Sequence, residues 1–151
     1  MYKIYLDNCC YNRPFDSQTQ TSIHLETLAK LHIQEQIKNH VYKLVWSYIL
    51  DYENGRNPYP DRRSSISPWK TIADEIVSKE NEDILSFAEE LAARGVKNYD
   101  ALHIACAHYA KCDYFLTTDK KLLNKSIEEI RVVNPLMFVN EVEGGIHDGK
   151  N

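Results

Sequence analysis

The chain has 151 residues, which is enough for one domain with a sizeable hydrophobic core that needs no disulfide or metal to fold. Hydrophobic residues make up 43% and charged residues 26%, as in an ordinary globular protein, and the formal net charge of -4 gives no general attraction to nucleic acid. No apolar run approaches the roughly 18 residues of a membrane span, and the first residues lack a signal-peptide pattern, so we expect neither a membrane protein nor a secreted one.

The four cysteines carry no sign of a metal site or a disulfide framework. They are Cys9, Cys10, Cys106 and Cys112. Their spacing lacks the C-x-x-C pairs of a zinc site, and nothing indicates an oxidising compartment. We therefore predict reduced thiols, no zinc, a cytoplasmic location and no membrane partner.

Apolar periodicity predicts strands that alternate with helices along the chain. The expected strands are residues 2–6, 41–46, 114–116 and 131–134. The expected helices are residues 17–39, 47–55, 69–76, 81–92, 99–111 and 120–123, with Asp16 or Ser17 as the cap of the first and a proline-broken loop at 57–63. A short terminal element of unspecified type is expected at 135–139. This order predicts an α/β domain over residues 1–140, a three-layer sandwich with a short, mostly parallel sheet, followed by a flexible tail at 141–151.

Three aspartates stand where predicted strands end or helices begin. Asp7 follows the first strand, Asp100 lies in the first turn of the helix at 99–111, and Asp119 follows the strand at 114–116. Each has an ordinary structural interpretation, as a turn residue, a partner of the helix dipole or an N-cap. In a parallel α/β sheet, however, the carboxyl ends of the strands share one edge, where such acids can meet.

A fourth acid comes from the helix that Ser47 begins. Asp51 and Glu53 are two residues apart, so they point about 200° apart around that helix and only one can face the sheet edge. We expect that residue to be Glu53.

Four carboxylates at one edge would repel each other. At an effective dielectric of 20, a pair about 4 Å apart costs roughly 4 kcal/mol. Such a cluster persists with a cation or shared protons, and oxygen ligands favour Mg²⁺ or Mn²⁺. A hard ion with positions left to water suits phosphodiester hydrolysis, with one ion or two.

These motifs resemble those of the PIN domain, a family of metal-dependent ribonucleases that includes toxins of toxin-antitoxin pairs. They are the strand ending in Leu6 and Asp7, Glu53 six residues after Ser47, the run Asp100, Ala101, Leu102, His103, Ile104, Ala105, and the run Thr117, Thr118, Asp119. The resemblance covers about residues 2–139. It departs from the family at Asn8 and Cys9, where Thr or Ser and Asn are common, and in a long loop at 56–70.

The resemblance implies an endoribonuclease with RNA as substrate, Mg²⁺ or Mn²⁺ as cofactor, an antitoxin protein as partner and a homodimer as assembly. Carried over by position, the catalytic and metal-site acids are Asp7, Glu53, Asp100 and Asp119, with Thr117 and Asn8 in supporting positions.

A cluster of basic and aromatic residues is the expected contact with RNA phosphates and bases. Its cations are Arg56, Arg62, Arg63 and Lys70, and Tyr59 and Trp69 lie among them. A solvated face with an aromatic anchor is the competing interpretation.

Other functions fit the motifs less well. A haloacid-dehalogenase-like phosphatase needs a second Asp where this chain has Cys9, and a response-regulator receiver needs adjacent acids early in the chain. A PIN-like module that binds RNA or protein without cutting remains the alternative.

His103, three residues after Asp100, could share its helix face, but the apolar register favours a packed position for this imidazole over a ligand role.

Overall fold

A five-stranded, all-parallel sheet forms the middle of the computed structural model, which describes residues 1–11 and 21–144. The strands are β1 (Lys3–Leu6), β2 (Lys43–Ser47), β3 (Glu75–Val77), β4 (Tyr114–Leu116) and β5 (Arg131–Val133). Their order in the sheet is β3-β2-β1-β4-β5. The predicted α/β class is confirmed, and the sheet is parallel throughout.

Helices cover the two faces of this sheet. They are α1 (Thr21–Lys38), α2 (Tyr48–Gly55), α3 (Pro60–Ile66), α4 (Pro68–Ile72), α5 (Glu82–Ala93), α6 (Asn98–Tyr109), α7 (Lys120–Leu123) and α8 (Pro135–Val139). A 3₁₀ turn at Asn8–Cys10 follows β1, and a π-helical turn at Asn140–Gly144 follows α8. In the described ranges, none of the helices combines the length and the apolar composition that crossing a bilayer requires.

Side chains that alternate along the strands assign the helices to opposite faces. Tyr5 in β1 stacks on Phe115 in β4, with ring centroids 5.3 Å apart, and its other neighbour is His103 of α6. On the opposite face, Tyr114 packs edge-on against Phe138 of α8, and α8 packs against α1. The result is the predicted three-layer sandwich, with α5 and α6 on one face and α1 and α8 on the other.

The strand order places a topological switch beside β1. From β1 the chain moves outward through β2 to β3, and it then returns to the other side of β1 to form β4 and β5. β1 and β4 pair in register, with Leu6 opposite Leu116. In open α/β sheets the ligand crevice lies outside the carboxyl ends of the strands at such a point, which here is where Asp7 and Thr117 follow.

The region from residue 57 to 77 differs from the sequence prediction. The loop expected at 57–63 contains the start of α3, because Pro60 occupies a first-turn position, where a proline begins a helix instead of breaking one. The helix expected at 69–76 ends at Ile72, and β3 follows it. Ile76 and Val77 pair with β2, so tertiary strand pairing and β-branched side chains outweigh the short helical pattern.

The ends of the described ranges bear on two further predictions. The proposed caps Asp16 and Ser17 lie outside the described residues. At the other end, Glu143 of the π-helical turn accepts hydrogen bonds from His32 Nε2, at 2.8 Å, and from the Tyr42 hydroxyl. Residues 141–144 of the predicted tail therefore belong to this turn, which Glu143 connects to α1 and to Tyr42, and residues 145–151 lie outside the described part.

Candidate active site

Asp7 is the first residue after β1, and two hydrogen bonds fix its carboxylate at the carboxyl edge of the sheet. Oδ1 accepts the backbone N–H of Asn8 at 2.8 Å, and Oδ2 accepts the hydroxyl of Thr117, also at 2.8 Å. The side chain is 9% exposed. A turn-forming role explains the bond to Oδ1, but it does not explain why a buried threonine from another strand binds Oδ2.

Thr117 links two of the predicted acids. Its hydroxyl donates to Asp7 and accepts the backbone N–H of Asp119 at 3.1 Å. Asp119 caps α7, since its Oδ1 accepts the N–H groups of Lys121 and Leu122 at 2.9 and 3.3 Å. The expected N-cap interpretation of Asp119 therefore holds, and the Thr117 hydroxyl connects the backbone of this residue to the carboxylate of Asp7.

Asn8 supports the site with its backbone only. Its N–H binds Asp7, whereas its side-chain Oδ1 is buried with no hydrogen-bond partner among the described residues. The supporting position predicted from the sequence is thus filled by a main-chain donor, which any residue other than proline could supply.

Glu53 and Asp51 point to different parts of the protein, as expected from their spacing. Glu53 Oε1 lies 2.7 Å from Nε2 of His103 in α6. Asp51 instead accepts hydrogen bonds from Trp46 Nε1 at 2.9 Å and from Lys70 Nζ at 3.0 Å. Glu53 is therefore the residue of this pair that faces the other acids.

His103 begins a chain of buried hydrogen bonds that supports Glu53. The imidazole is fully buried, and its Nδ1 lies 2.6 Å from the hydroxyl of Tyr5, which lies 2.6 Å from Oγ of Ser47. One set of donors satisfies every atom: Nε2–H donates to Glu53, the Tyr5 hydroxyl donates to Nδ1, and the Ser47 hydroxyl donates to Tyr5. His103 is packed, as the sequence favoured, but it is also the hydrogen-bond partner of a site acid.

Charge and burial act in opposite directions on His103. Burial lowers its pKa, whereas the hydrogen bond to Glu53 and the carboxylates of Asp7, Glu53 and Asp100 raise it, and the net shift is upward. The imidazole is therefore a favourable internal partner for the negative charge around it.

Asp100 carries the clearest electrostatic signature of a shared acidic site. Burial and the charges of Asp7, Asp119 and Glu53 raise its pKa to about 6, against the opposing effect of His103. All three of the other predicted acids contribute, which means that each of them lies within electrostatic range of Asp100. Loss of a proton from Asp100 is unfavourable because negative charge is already present there.

A compact group of ligand atoms lies at the centre of this cluster. Among the described residues, one ligand atom each from Asp7, Glu53 and His103 lies within 4.8 Å of the other two. Asp100 interacts through its charge with all three members of this group and with Asp119. Since the Nε2–H of His103 is used by Glu53, we assign the imidazole as the donor that orients this carboxylate, an arrangement common around metal-binding carboxylates.

Two of the predicted RNA-binding cations are engaged within the protein. Lys70 forms an ion pair with Asp51, and Arg63 Nη1 donates to the backbone carbonyl of Asn57. Arg63 therefore stabilises the turn between α2 and α3. The structure does not place these two side chains next to the four predicted site acids.

The other two predicted cations lie against aromatic rings. The Arg56 guanidinium is 5.3 Å from the ring centroid of Tyr52, and the Arg62 guanidinium is 4.6 Å from that of Tyr59. Tyr59 belongs to the basic and aromatic cluster named from the sequence, but Tyr52 was not included in it. Cations held over exposed rings are a surface that nucleic acid uses.

Comparison with models of known protein families gave no match for this chain, and comparison with characterised proteins gave none either.

The residues that support Glu53 were not predicted from the sequence as parts of the site. Tyr5, Ser47 and His103 come from β1, the end of β2 and α6, and their contacts join residues 42 and 98 positions apart. One signal was present: His103 follows Asp100 by three residues, a spacing that puts both on one side of a helix. No local pattern could have linked Tyr5 to either residue.

Tyr5→Phe should destabilise the protein by about 1–3 kcal/mol, because it leaves His103 Nδ1 and the Ser47 hydroxyl buried without their shared partner. Urea unfolding measures the change. The matched control is Tyr114→Phe in the neighbouring strand, whose hydroxyl makes a longer, exposed bond to Glu141 at 3.3 Å. Equal free energies of unfolding for the two variants would contradict a structural role for the buried chain.

Proposed function

We propose that this protein is a divalent-metal-dependent endoribonuclease that hydrolyses RNA phosphodiester bonds at the site formed by Asp7, Glu53, Asp100 and Asp119. The observation that carries the proposal is geometric: at the carboxyl edge of the sheet, ligand atoms of Asp7, Glu53 and His103 lie within 4.8 Å of one another. The charges of Asp7, Asp119 and Glu53 also act on Asp100, which supports the grouping of the four acids. A fold does not need four mutually repelling carboxylates at its edge, so their grouping favours a role in binding a cation.

The donor set fits a hard divalent ion. The predicted ligands are carboxylate oxygens, the donors that Mg²⁺ and Mn²⁺ prefer, and no cysteine sulfur is among them. Hydrogen bonds to Thr117 and His103 hold the carboxylates of Asp7 and Glu53 in place, so these side chains need little further ordering when the ion binds. When bound, such an ion makes water a stronger nucleophile at neutral pH and stabilises charge on the leaving oxygen.

The chain's own residues have separate tasks in this proposal. Thr117 keeps the carboxylate of Asp7 fixed, and His103 keeps that of Glu53 facing the cluster. Asp119 uses Oδ1 to cap α7, which sets the direction of its side chain. The raised pKa of Asp100 means that its ionised form is unfavourable in this site, and a nearby positive charge would stabilise that form.

Metal dependence tests the proposal. A short single-stranded RNA labelled at both ends should be cleaved by the purified protein with Mg²⁺ or Mn²⁺, and EDTA should reduce cleavage to the level of a no-protein control. Metal added in excess should restore the rate. A preparation of the Glu53→Gln variant, purified in the same way, excludes a contaminating nuclease.

The other outcomes are equally informative. Cleavage that continues unchanged in EDTA would remove the metal from the mechanism. Thermal stabilisation by Mn²⁺ without cleavage of any RNA tested would favour the alternative, a PIN-like module that binds RNA or protein without cutting it.

A further inference from the structure

Two tyrosines from different helices stack against each other on the surface. Tyr52 of α2 and Tyr99 of α6 have ring centroids 5.7 Å apart and an interplanar angle of 29°. The two side chains remain 43% and 47% exposed. Tyr99 thus has one ring face against Tyr52, and nearly half of the surface of this residue is exposed to solvent.

Arg56 completes this group. Its Nη1 donates to the Tyr52 hydroxyl at 2.6 Å, and its guanidinium lies over the Tyr52 ring. The Tyr99 hydroxyl donates a longer bond, of 3.4 Å, to the same oxygen. These hydrogen bonds fix the hydroxyl groups of the two tyrosines relative to each other, and the stacking fixes their rings. The guanidinium of Arg56 places a positive charge at one side of the stack.

The stacked pair borders the carboxylate site through the chain itself. Tyr52 directly precedes Glu53, and Tyr99 directly precedes Asp100. Consecutive residues of a helix point about 100° apart, so each ring lies on the face next to that of a site acid. A group bound on the rings would be within a nucleotide's length of the carboxylates.

We propose that Tyr52, Tyr99 and Arg56 form a nucleobase-binding subsite, in which an unpaired base extends the aromatic stack and its phosphate lies against the Arg56 guanidinium. The location beside a reacting phosphate rests on the proposed function, but base binding itself does not. We take an unpaired nucleotide of RNA as the occupant, because it offers both a flat ring for the stack and a negative charge for Arg56, and because RNA is the substrate of the proposed function.

Charge complementarity supports this choice of occupant. A nucleic-acid backbone approaching four carboxylates is repelled, and a cation at the edge of the site offsets that repulsion. A base in a duplex is already stacked on both faces, so only a single strand gains from the rings.

The test measures binding to a fluorescein-labelled, ten-nucleotide single-stranded RNA by anisotropy, with all proteins carrying Glu53→Gln so that the probe is not cut. Adding Tyr99→Leu or Tyr52→Leu should weaken binding about tenfold, the effect of losing one aromatic stacking partner. Tyr99→Phe and Tyr52→Phe keep the ring and should stay within about threefold of the parent. Arg56→Gln should reduce the slope of log affinity against log salt by about one phosphate contact.

The matched control is Tyr109→Leu. Tyr109 lies at the other end of α6 and is 48% exposed, so this change removes an equally exposed tyrosine about 15 Å along the same helix. Its affinity for the RNA should equal that of the parent.

Two further probes separate stacking from electrostatics and from misfolding. An abasic strand of the same length should bind the parent more weakly, and Tyr99→Leu should cause no further loss with that strand. A duplex of the same sequence should not respond to Tyr99→Leu. If the leucine variants do not fold, the parent alone decides: equal affinity for the base-containing and abasic strands would overturn the subsite.

Equal weakening of both strands by Tyr99→Leu, or no weakening of either, would also overturn the subsite. These results are independent of cleavage. A tenfold loss of base-dependent binding in a protein that never cuts RNA would keep the subsite and remove the nuclease. Metal-dependent cleavage with unchanged binding would do the reverse.

Discussion

Glu53→Gln should reduce RNA cleavage by more than about 100-fold, whereas Asp51→Asn should leave most of it. The glutamine removes the negative charge but keeps an oxygen that can accept the hydrogen bond from His103, so the fold is preserved. Loss of even an outer-shell partner of a metal ligand costs about 10–100-fold, and loss of a ligand's charge costs more. Initial rates at saturating Mn²⁺ measure the difference.

Asp51→Asn is a demanding control because Asp51 lies only two residues before Glu53 in the same helix. Asp51 contacts Trp46 and Lys70 instead of the cluster. Its ion pair with Lys70 is exposed, so the variant should lose less than about 1 kcal/mol of stability. A severe loss of cleavage in Asp51→Asn with an active Glu53→Gln would mean that the wrong face of α2 has been assigned to the site.

Asp100→Asn should abolish cleavage and metal-induced stabilisation while leaving the metal-free protein at least as stable as the wild type. In EDTA, the folded protein holds the Asp100 proton up to about pH 6, whereas an unfolded aspartate releases it near pH 4. The folded state therefore binds more protons in this window, so its stability falls as the pH rises from about 4 to 6, and the loss persists above pH 6.

The asparagine removes that loss at nearly constant shape. Because Asp100 is partly exposed, solvent screening reduces the gain to about 1 kcal/mol, and the lost interaction with the helix dipole offsets part of it. Thermal melts in EDTA at pH 4.5 and 7.5 measure this: the difference between variant and wild type should be larger at pH 7.5. Added Mn²⁺ should raise the melting temperature of the wild type only.

An unfolded Asp100→Asn variant would instead make Asp100 a structural residue of α6. A variant that kept both the metal-induced shift and the cleavage would remove Asp100 from the site.

The sequence was most informative where an acid follows a local structural signal. Asp7 stands directly after an apolar β-rich run and Asp119 three residues after another. Ser47 and Asn81 mark helix starts that the structure retains as N-caps. Such signals depend on neighbours in the chain. Helix geometry alone showed that only one of the two acids Asp51 and Glu53 could face the site.

Residues whose role depends on distant contacts could not be found in this way. β3 is only three residues long and exists because β2 pairs with it. Tyr5 looks like any aromatic residue of a buried strand, and its hydroxyl matters because His103 and Ser47 meet it in the fold. The aromatic stack next to the acids likewise needed the mutual placement of α2 and α6.

The position of β1 in the sheet also determines when the acidic cluster can form during synthesis. β1 is complete once Leu6 is made, but its partner β4 ends at Leu116, so this pairing closes a loop of about 110 residues. Non-local parallel pairing of this kind is slow compared with helix formation. Asp7 therefore cannot meet Thr117 until β4 and Thr117 have left the ribosomal exit tunnel, and a nascent chain whose β4 is still inside the tunnel carries Asp7 and Glu53 without the assembled site.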